Sequence, residues 1–344
     1  MSAAGHDLSV EKEEHGGGLD RHPFLRVALL VGLSVLLGTI AGAIRGEKTA
    51  FLLKEQLHLT ATGTATLGLL LGIPAYLQPF VGAWTDLFPL FGWRRRSYYL
   101  LGMLIAAAST FVLGYAHPYR YATVASLLLL YASGAVLTAV TFNAVMVAVG
   151  NRTGTFGRLQ TLAQFVPLVL QVAWTGHLGG YVAQHWTYPH TFTVAALLSL
   201  LHAPLVFLME DGPAGAARRE QAREAREARL ARKREERART AAALHAAART
   251  PGLWAMVAFV FYLILTPGPN SLYYFTDGLH FSKQFIGDLQ KWSGAGTVIG
   301  MGLFAFGYRR LPVFALVWGA WLMDCAGYPL MWLMRGPLSA EWMI

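Results

Sequence analysis

Gly82-Ala-Trp-Thr-Asp86-Leu-Phe-Pro89-Leu-Phe-Gly92-Trp93-Arg94-Arg95-Arg96 separates two long apolar runs. It holds three consecutive arginines and one aspartate, whereas its flanks carry almost no charge. Such a block sits where water or an anionic surface begins, so the runs on either side read as membrane spans. Pro89 and Gly92 mark a turn and the arginines a basic restart, which makes the stretch a cytoplasmic hinge between two helices. Any short cytoplasmic loop attracts arginine, so the basic residues alone are a topology signal. Asp86 is not explained that way.

The rest of the chain agrees with a bilayer. Of its 344 residues, 55% are hydrophobic and 14% charged, with a mean hydropathy of +0.42, outside the usual range for soluble domains. The single cysteine, Cys325, excludes an internal disulfide and offers no metal ligand set. The net charge of +9 is not a nucleic-acid signature, because eleven of the 28 Lys and Arg fall between Arg218 and Arg249, interleaved with Glu. Residues 1–22 are polar with no apolar core, and are expected to be a disordered cytoplasmic tail rather than a signal peptide.

Nine apolar runs are long enough to span a bilayer, at roughly 24–44, 61–84, 97–115, 121–149, 158–181, 190–209, 252–275, 284–307 and 312–334. The bias of Lys and Arg toward the inside puts the N-terminus, Arg26, Arg94 to Arg96, Arg152, Arg158, Arg309 and Arg310 in the cytoplasm; the other side receives Arg45, Lys48, Lys54, Arg120, Lys283 and Arg335. The expected organisation is a six-helix bundle at 23–211, a charged cytoplasmic linker helix at 212–250 and a three-helix bundle at 251–344. In the linker, opposite charges recur three and four residues apart, as in a solvated helix. It either only joins the bundles or also binds anionic lipid.

Gly92-Trp93-Arg94-Arg95 recurs as Gly307-Tyr308-Arg309-Arg310, six helices later. Parallel halves joined by a long cytoplasmic loop are the plan of one large class of secondary transporters.

Gly82, Asp86, Gly92, Arg94 and Arg95 resemble the signature between helices two and three of the major facilitator superfamily, with a longer spacer. The text from Phe88 to Tyr98 looks like the folate-biopterin transporter family within it. Thr266 to Phe275, Leu279-His280-Phe281-Ser282 and Phe285-Ile286-Gly287 are similar to the seventh-helix region of that family. The resemblance implies an all-α polytopic membrane protein of two helical bundles with twelve helices, against the nine predicted, so a truncated gene or a fragment is among the readings. It also implies secondary active transport by alternating access in the inner membrane, of a small organic anion such as a folate or pteridine, with a proton as coupling ion. A monomer is the default. The alternative is a non-transporting scaffold, for example a pigment-assembly protein, or an inactive truncated transporter. The expected partners are a small-molecule substrate and the lipid bilayer, without nucleic acid. No phosphate loop, metal spacing or nucleophile elbow is present, so neither an enzyme nor a cofactor or metal is expected.

Polar residues inside spans are costly, and their angular placement is informative. In the fifth span Gln160, Gln164, Gln171 and Thr175 fall within about 60° of one another, with Pro167 on the same side. That face serves a cavity or interhelical hydrogen bonds. In the seventh, Tyr262, Thr266, Asn270, Tyr273 and Asp277 lie within about 80°, interrupted by Pro267, Gly268 and Pro269. The resembled fold makes this stripe substrate-facing, where tyrosines stack on a planar heterocycle or pack on neighbours. Asp288 and Lys291 either neutralise each other, or Lys291 holds a substrate carboxylate about 12 Å into its helix. Asn143 adds a polar group in the fourth span. Asp277, Asp288 and Asp324 are the candidates for proton coupling. Gly82, Asp86, Gly92, Arg94, Arg95 and Arg96 form a candidate conformational latch, with Asp86 accepting from the arginines or from a neighbouring helix.

Overall fold

The computed structural model describes residues 23–88, 90, 93, 95–209, 254, 271–307 and isolated positions between 315 and 333, without the side chains of Pro23, Asp86, Leu87, Arg152 and residues 304–307. The tail at 1–22, the linker at 212–250, Tyr262, Thr266, Asn270, Asp324, Gly92, Arg94 and most of the seventh and ninth spans lie outside the described residues.

Among the described residues the fold is helical, with no strand. Helix α1 (Pro23–Phe51) runs into a π-turn at Leu52–Gln56. Helices α2 (Ala61–Tyr76) and α3 (Gln78–Leu87) make one span broken at Leu77, between Pro74 and Pro79, as proline requires. Helix α4 (Arg96–Tyr115) and the 33-residue α5 (Tyr121–Thr153) follow, and α5 stops at Gly154, which is left-handed at φ 66°. Helices α6 (Phe156–Leu170) and α7 (Gly176–His185) are joined by a π-turn at Gln171–Thr175, four residues past Pro167. Helix α8 (Tyr188–Leu200) ends in a 3₁₀ segment, Ala203–Leu208. A helical end, α9 (Ser271–Tyr273), enters a π-turn at Tyr274–Gly278, and α10 (Lys283–Gly307) follows.

Among the described residues, five stretches are long and apolar enough to cross a membrane: Phe24–Gln56, Ala61–Thr85, Arg96–Tyr115, Tyr121–Asn151 and Tyr188–Leu208. Exposed residues such as Leu69, Phe80, Leu104 and Phe207 give them the apolar exterior that lipid demands. The α6–α7 pair and α10 form helices where spans are predicted, but their glutamines, histidine and charges leave them short of that apolarity. The protein is a multi-pass membrane protein.

Helix α1 is the axis, touching α5, α6, α7 and α8. At its starting, or near, end Val27, Leu30 and Val31 pack with Tyr99, Met146, Leu159 and Met209. At the opposite, far end Leu52 and Leu53 pack with Leu67, Leu113 and Phe192. Two crossings bring backbones together. A Cβ on Gly102 of α4 would lie 2.6 Å from the Gly134 carbonyl of α5, so only glycine fits. A Cβ on Gly287 of α10 would lie 2.5 Å from the Gly176 carbonyl and 2.7 Å from the Gly180 Cα, both on α7. Such small-residue seams are how helices associate in lipid, where burial of apolar surface gives no drive.

Candidate functional site

The sequence places Arg45 and Lys48 in a loop after a helix ending near 44. The structure corrects this, because α1 continues through them to Phe51. Each charge finds a partner on a different neighbour, which is what lets a helix carry charge at this depth. Lys48, only 5% exposed, donates its ammonium to the Ala183 carbonyl at 3.0 Å and to the Trp186 carbonyl, where α7 ends and carbonyls are unpaired. Glu47 accepts from the side-chain amide of Gln290 on α10. Arg45 lays its guanidinium over the Tyr131 ring of α5, 3.6 Å from the centroid.

A cavity opens on either side of α1. The first, about 240 Å³, lies between α1, α4, α5 and α8, and Ser34, Gly38, Arg45, Tyr99, Tyr131 and His202 line it. None of its lining residues is acidic. The Tyr99 hydroxyl lies 3.3 Å from Ser34 Oγ. His202 sets Nε2 3.0 Å from the Ser34 carbonyl and Nδ1 3.0 Å from the Ser199 carbonyl. Both contacts are hydrogen bonds only when each ring nitrogen carries a proton. The second cavity, about 290 Å³, is lined by Thr39, Glu47, Pro167, Gln171, Thr175 and Gln290.

At the far end the 271–307 segment is fastened to the rest. Lys54 contacts Asp277 and Thr276, and Lys283 lies 2.6 Å from the Glu55 carboxylate, which also accepts from Tyr188 at 3.3 Å. Asp277 is exposed, and the hydrogen bond from the Lys54 ammonium holds its carboxyl below the usual carboxylate range. His177 Nδ1 lies 2.7 Å from Asp288, and the Gln184 side chain accepts from the Gln284 N–H at 3.2 Å. Beneath these, Phe51 and Ala183 pack with Phe275, Ile286 and Leu289.

The two turns that meet here are copies of one another. Each is a five-residue π-turn followed by leucine, a left-handed histidine, an apolar residue and a hydroxyl residue: Leu57-His58-Leu59-Thr60 and Leu279-His280-Phe281-Ser282. His58 has φ 50° and His280 φ 55°. Leu57 and Leu279 donate to Leu52 and Tyr274, and Leu59 and Phe281 to Leu53 and Phe275. Thr60 and Ser282 each cap the following helix, accepting from Gly63 at 3.1 Å and Phe285 at 3.2 Å.

The predicted residues divide. Gln171 and Thr175 line the second cavity, whereas Gln164, Asn143 and Lys291 are exposed and line none of the described cavities. Asp288 faces His177 of α7, so the pairing with Lys291 read from the i, i+3 spacing is not the one formed. The Tyr273 hydroxyl reaches the Leu59 carbonyl at 2.5 Å and Thr64 Oγ1 at 2.8 Å, in the far-end contact. Gly82 lies within α3. Arg95 donates to the Ala144 carbonyl at 3.0 Å and Arg96 to the Met209 carbonyl at 2.5 and 3.1 Å. Arg26 likewise reaches the Phe207 and Leu208 carbonyls, at 2.6 and 3.1 Å. Arg45, Glu47, Tyr131 and His202 are the site residues that sequence reasoning misses. The repeated Leu-His-apolar-hydroxyl tetrad was the available signal for the far-end turns.

A model of the BT1 family matches residues 39–326. A folate-biopterin transporter of Synechocystis is 26% identical over 271 residues, 76% of this chain and 51% of that protein. The chain thus spans about half the length of this curated relative.

Proposed function

The chain belongs to the BT1 family, and on that premise we propose that it is a secondary transporter of a small organic anion of the folate or pteridine class, working by alternating access. One observation carries the reading: two copies of the same turn, at 52–60 and 274–282, meet face to face at the far end and are fastened there by ion pairs. A repeated unit in each half, with the halves joined by breakable contacts, is the construction that rocking about a central site needs. In this reading residues 23–209 form one bundle, 271–307 belong to the other, and the far end is shut. Positive-inside counting makes the near end, with Arg26, Arg95 and Arg96, cytoplasmic. Tyr262, Thr266 and Asn270 are the proposed opposite wall, and Gln164, Asn143 and Lys291 the proposed lining between bundles.

The coupling ion in this reading is a proton. Asp277 and Asp288 each face a basic partner, whereas Glu47 meets an amide in a cavity between α1, α6 and α10, so Glu47 joins Asp324 as the favoured carrier.

Uptake of labelled folate and biopterin into vesicles bearing the protein, with and without an imposed pH gradient, tests the proposal. Saturable uptake is expected, raised by the gradient in the parent and indifferent to it in Glu47→Gln. Absence of saturable uptake of either compound overturns the substrate class and favours a non-transporting role.

A further inference from the structure

We propose that the cavity between α1, α4, α5 and α8 is the subsite for the substrate's carboxylate, with Arg45 as its bidentate partner and Tyr131 as the residue that holds Arg45 ready. The inference rests on the transporter reading and adds to it a location and a chemistry.

Three observations converge. First, Arg45 is the guanidinium of α1 that faces this cavity, and among the described residues no carboxylate pairs with it. A cation set this far along a span is stable only if something offsets its desolvation, and an incoming anion does so. Second, the contact with Tyr131 is through the face of the guanidinium, 3.6 Å from the ring centroid. Stacking uses the π-face and leaves the in-plane N–H fork unspent, which is the edge that matches two carboxylate oxygens. Arg45 therefore arrives at the encounter with its rotamer already fixed, and little ordering cost remains. Third, the rest of the lining sets nothing against an anion. No acidic side chain is among it, the Thr138 hydroxyl and both His202 nitrogens are already engaged with backbone carbonyls, and the remaining wall is small apolar residues with Tyr99, Tyr131 and Phe142, which suits a flat ring. About 240 Å³ accommodates an aromatic acid fragment rather than a whole folate, so the remainder of a longer ligand extends out of this cavity.

The chemistry separates carboxylate-bearing from uncharged ligands. Binding is measured on the purified full chain in detergent, by calorimetry, with folate, pteroate and p-aminobenzoyl-glutamate against biopterin, which has the heterocycle and no carboxylate. Arg45→Gln is expected to weaken the three acids by about tenfold or more and to leave biopterin within about twofold. Arg45→Lys keeps the charge but not the fork and is expected to lose about fivefold on the acids. It serves as the folded control, with size-exclusion elution checked, should the glutamine variant misassemble. Tyr131→Leu is expected to weaken the acids by a few-fold, and Tyr131→Phe, which keeps the ring, to match the parent. Equal affinity of parent and both Arg45 variants for the acids overturns the subsite while saturable uptake keeps the transporter reading. Binding of biopterin without any of the acids overturns the carboxylate assignment. Loss of every ligand from the parent, together with loss of uptake, overturns both readings.

Discussion

The two ends of the molecule are held by the same kind of residue used in opposite ways. At the near end Arg26, Arg95 and Arg96 donate to the backbone carbonyls of Phe207, Leu208, Met209 and Ala144, all within residues 23–209. At the far end Lys54 and Lys283 meet the carboxylates of Asp277 and Glu55 across two segments more than 200 residues apart in sequence. A backbone carbonyl cannot be protonated away at ordinary pH, and these donors and acceptors all lie within residues 23–209, so the near-end contacts act as staples inside one segment. Exposed ion pairs are individually weak and exchange with water readily. In the alternating-access reading the near end is the one that stays and the far end the one that parts.

The sharpest way to break this contrast is to wedge the seam that supports the far end. Gly287→Leu puts atoms where a Cβ already meets the Gly176 carbonyl, and is expected to cost about 1–3 kcal/mol. A fall in melting temperature is expected, with raised labelling of a cysteine introduced at the exposed far-end position His280 in a Cys325→Ser background; an unperturbed variant shows that the seam does not support the far end. Next comes a staple. Arg96→Ala, which gives up two donors to Met209, is expected to cost about 1–2 kcal/mol and to lower the melting temperature without opening the far end. Far-end opening in that variant erases the distinction between the ends.

A smaller effect is expected from Glu55→Gln, about 0.5–1 kcal/mol, favouring the open far end and rescued in a charge swap, Glu55→Lys with Lys283→Glu. A swap that behaves like the sum of its single variants argues against a direct pair. The smallest concerns acid. Because Asp277 is held below its usual range, the Lys54 pair is fully present above the ordinary carboxylate value and fades only as the pH falls through the lowered one. Far-end opening governed by this pair, read as labelling relative to a fully exposed control cysteine at each pH, is therefore flat between about pH 5 and 8. A transition within that window that survives Glu47→Gln assigns the pH response to another group.

Much of the helical order was legible because apolar length is a local property. The runs at 61–84, 97–115 and 121–149 recur as helices with ends shifted by only a few residues, up to four at the end of α5. Helix α1 was read short for a physical reason: counting charge treats Arg45 and Lys48 as loop markers, and their true partners, Tyr131 and the Ala183 carbonyl, are 86 and 135 residues away. The helical wheel sorts residues by angle and says nothing of depth. Tyr273 shares an angle with Tyr262 and Thr266, yet its hydroxyl reaches Leu59 beside the far-end turn. Periodicity likewise brings Asp288 near Lys291, whereas His177 arrives from another helix through the tertiary fold.

The glycine seam between α7 and α10 carries a mechanical consequence. Gly287 stands four residues from the start of α10 and twenty from its end at Gly307. At 1.5 Å per residue the two arms are about 6 and 30 Å, so a rigid tilt about the seam moves the near-end tip about five times as far as the far-end one. In the alternating-access reading α10 is then a lever with its fulcrum on the ion-pair side of its midpoint: a tilt that separates Lys283 from Glu55 is a larger swing at the Gly307 end.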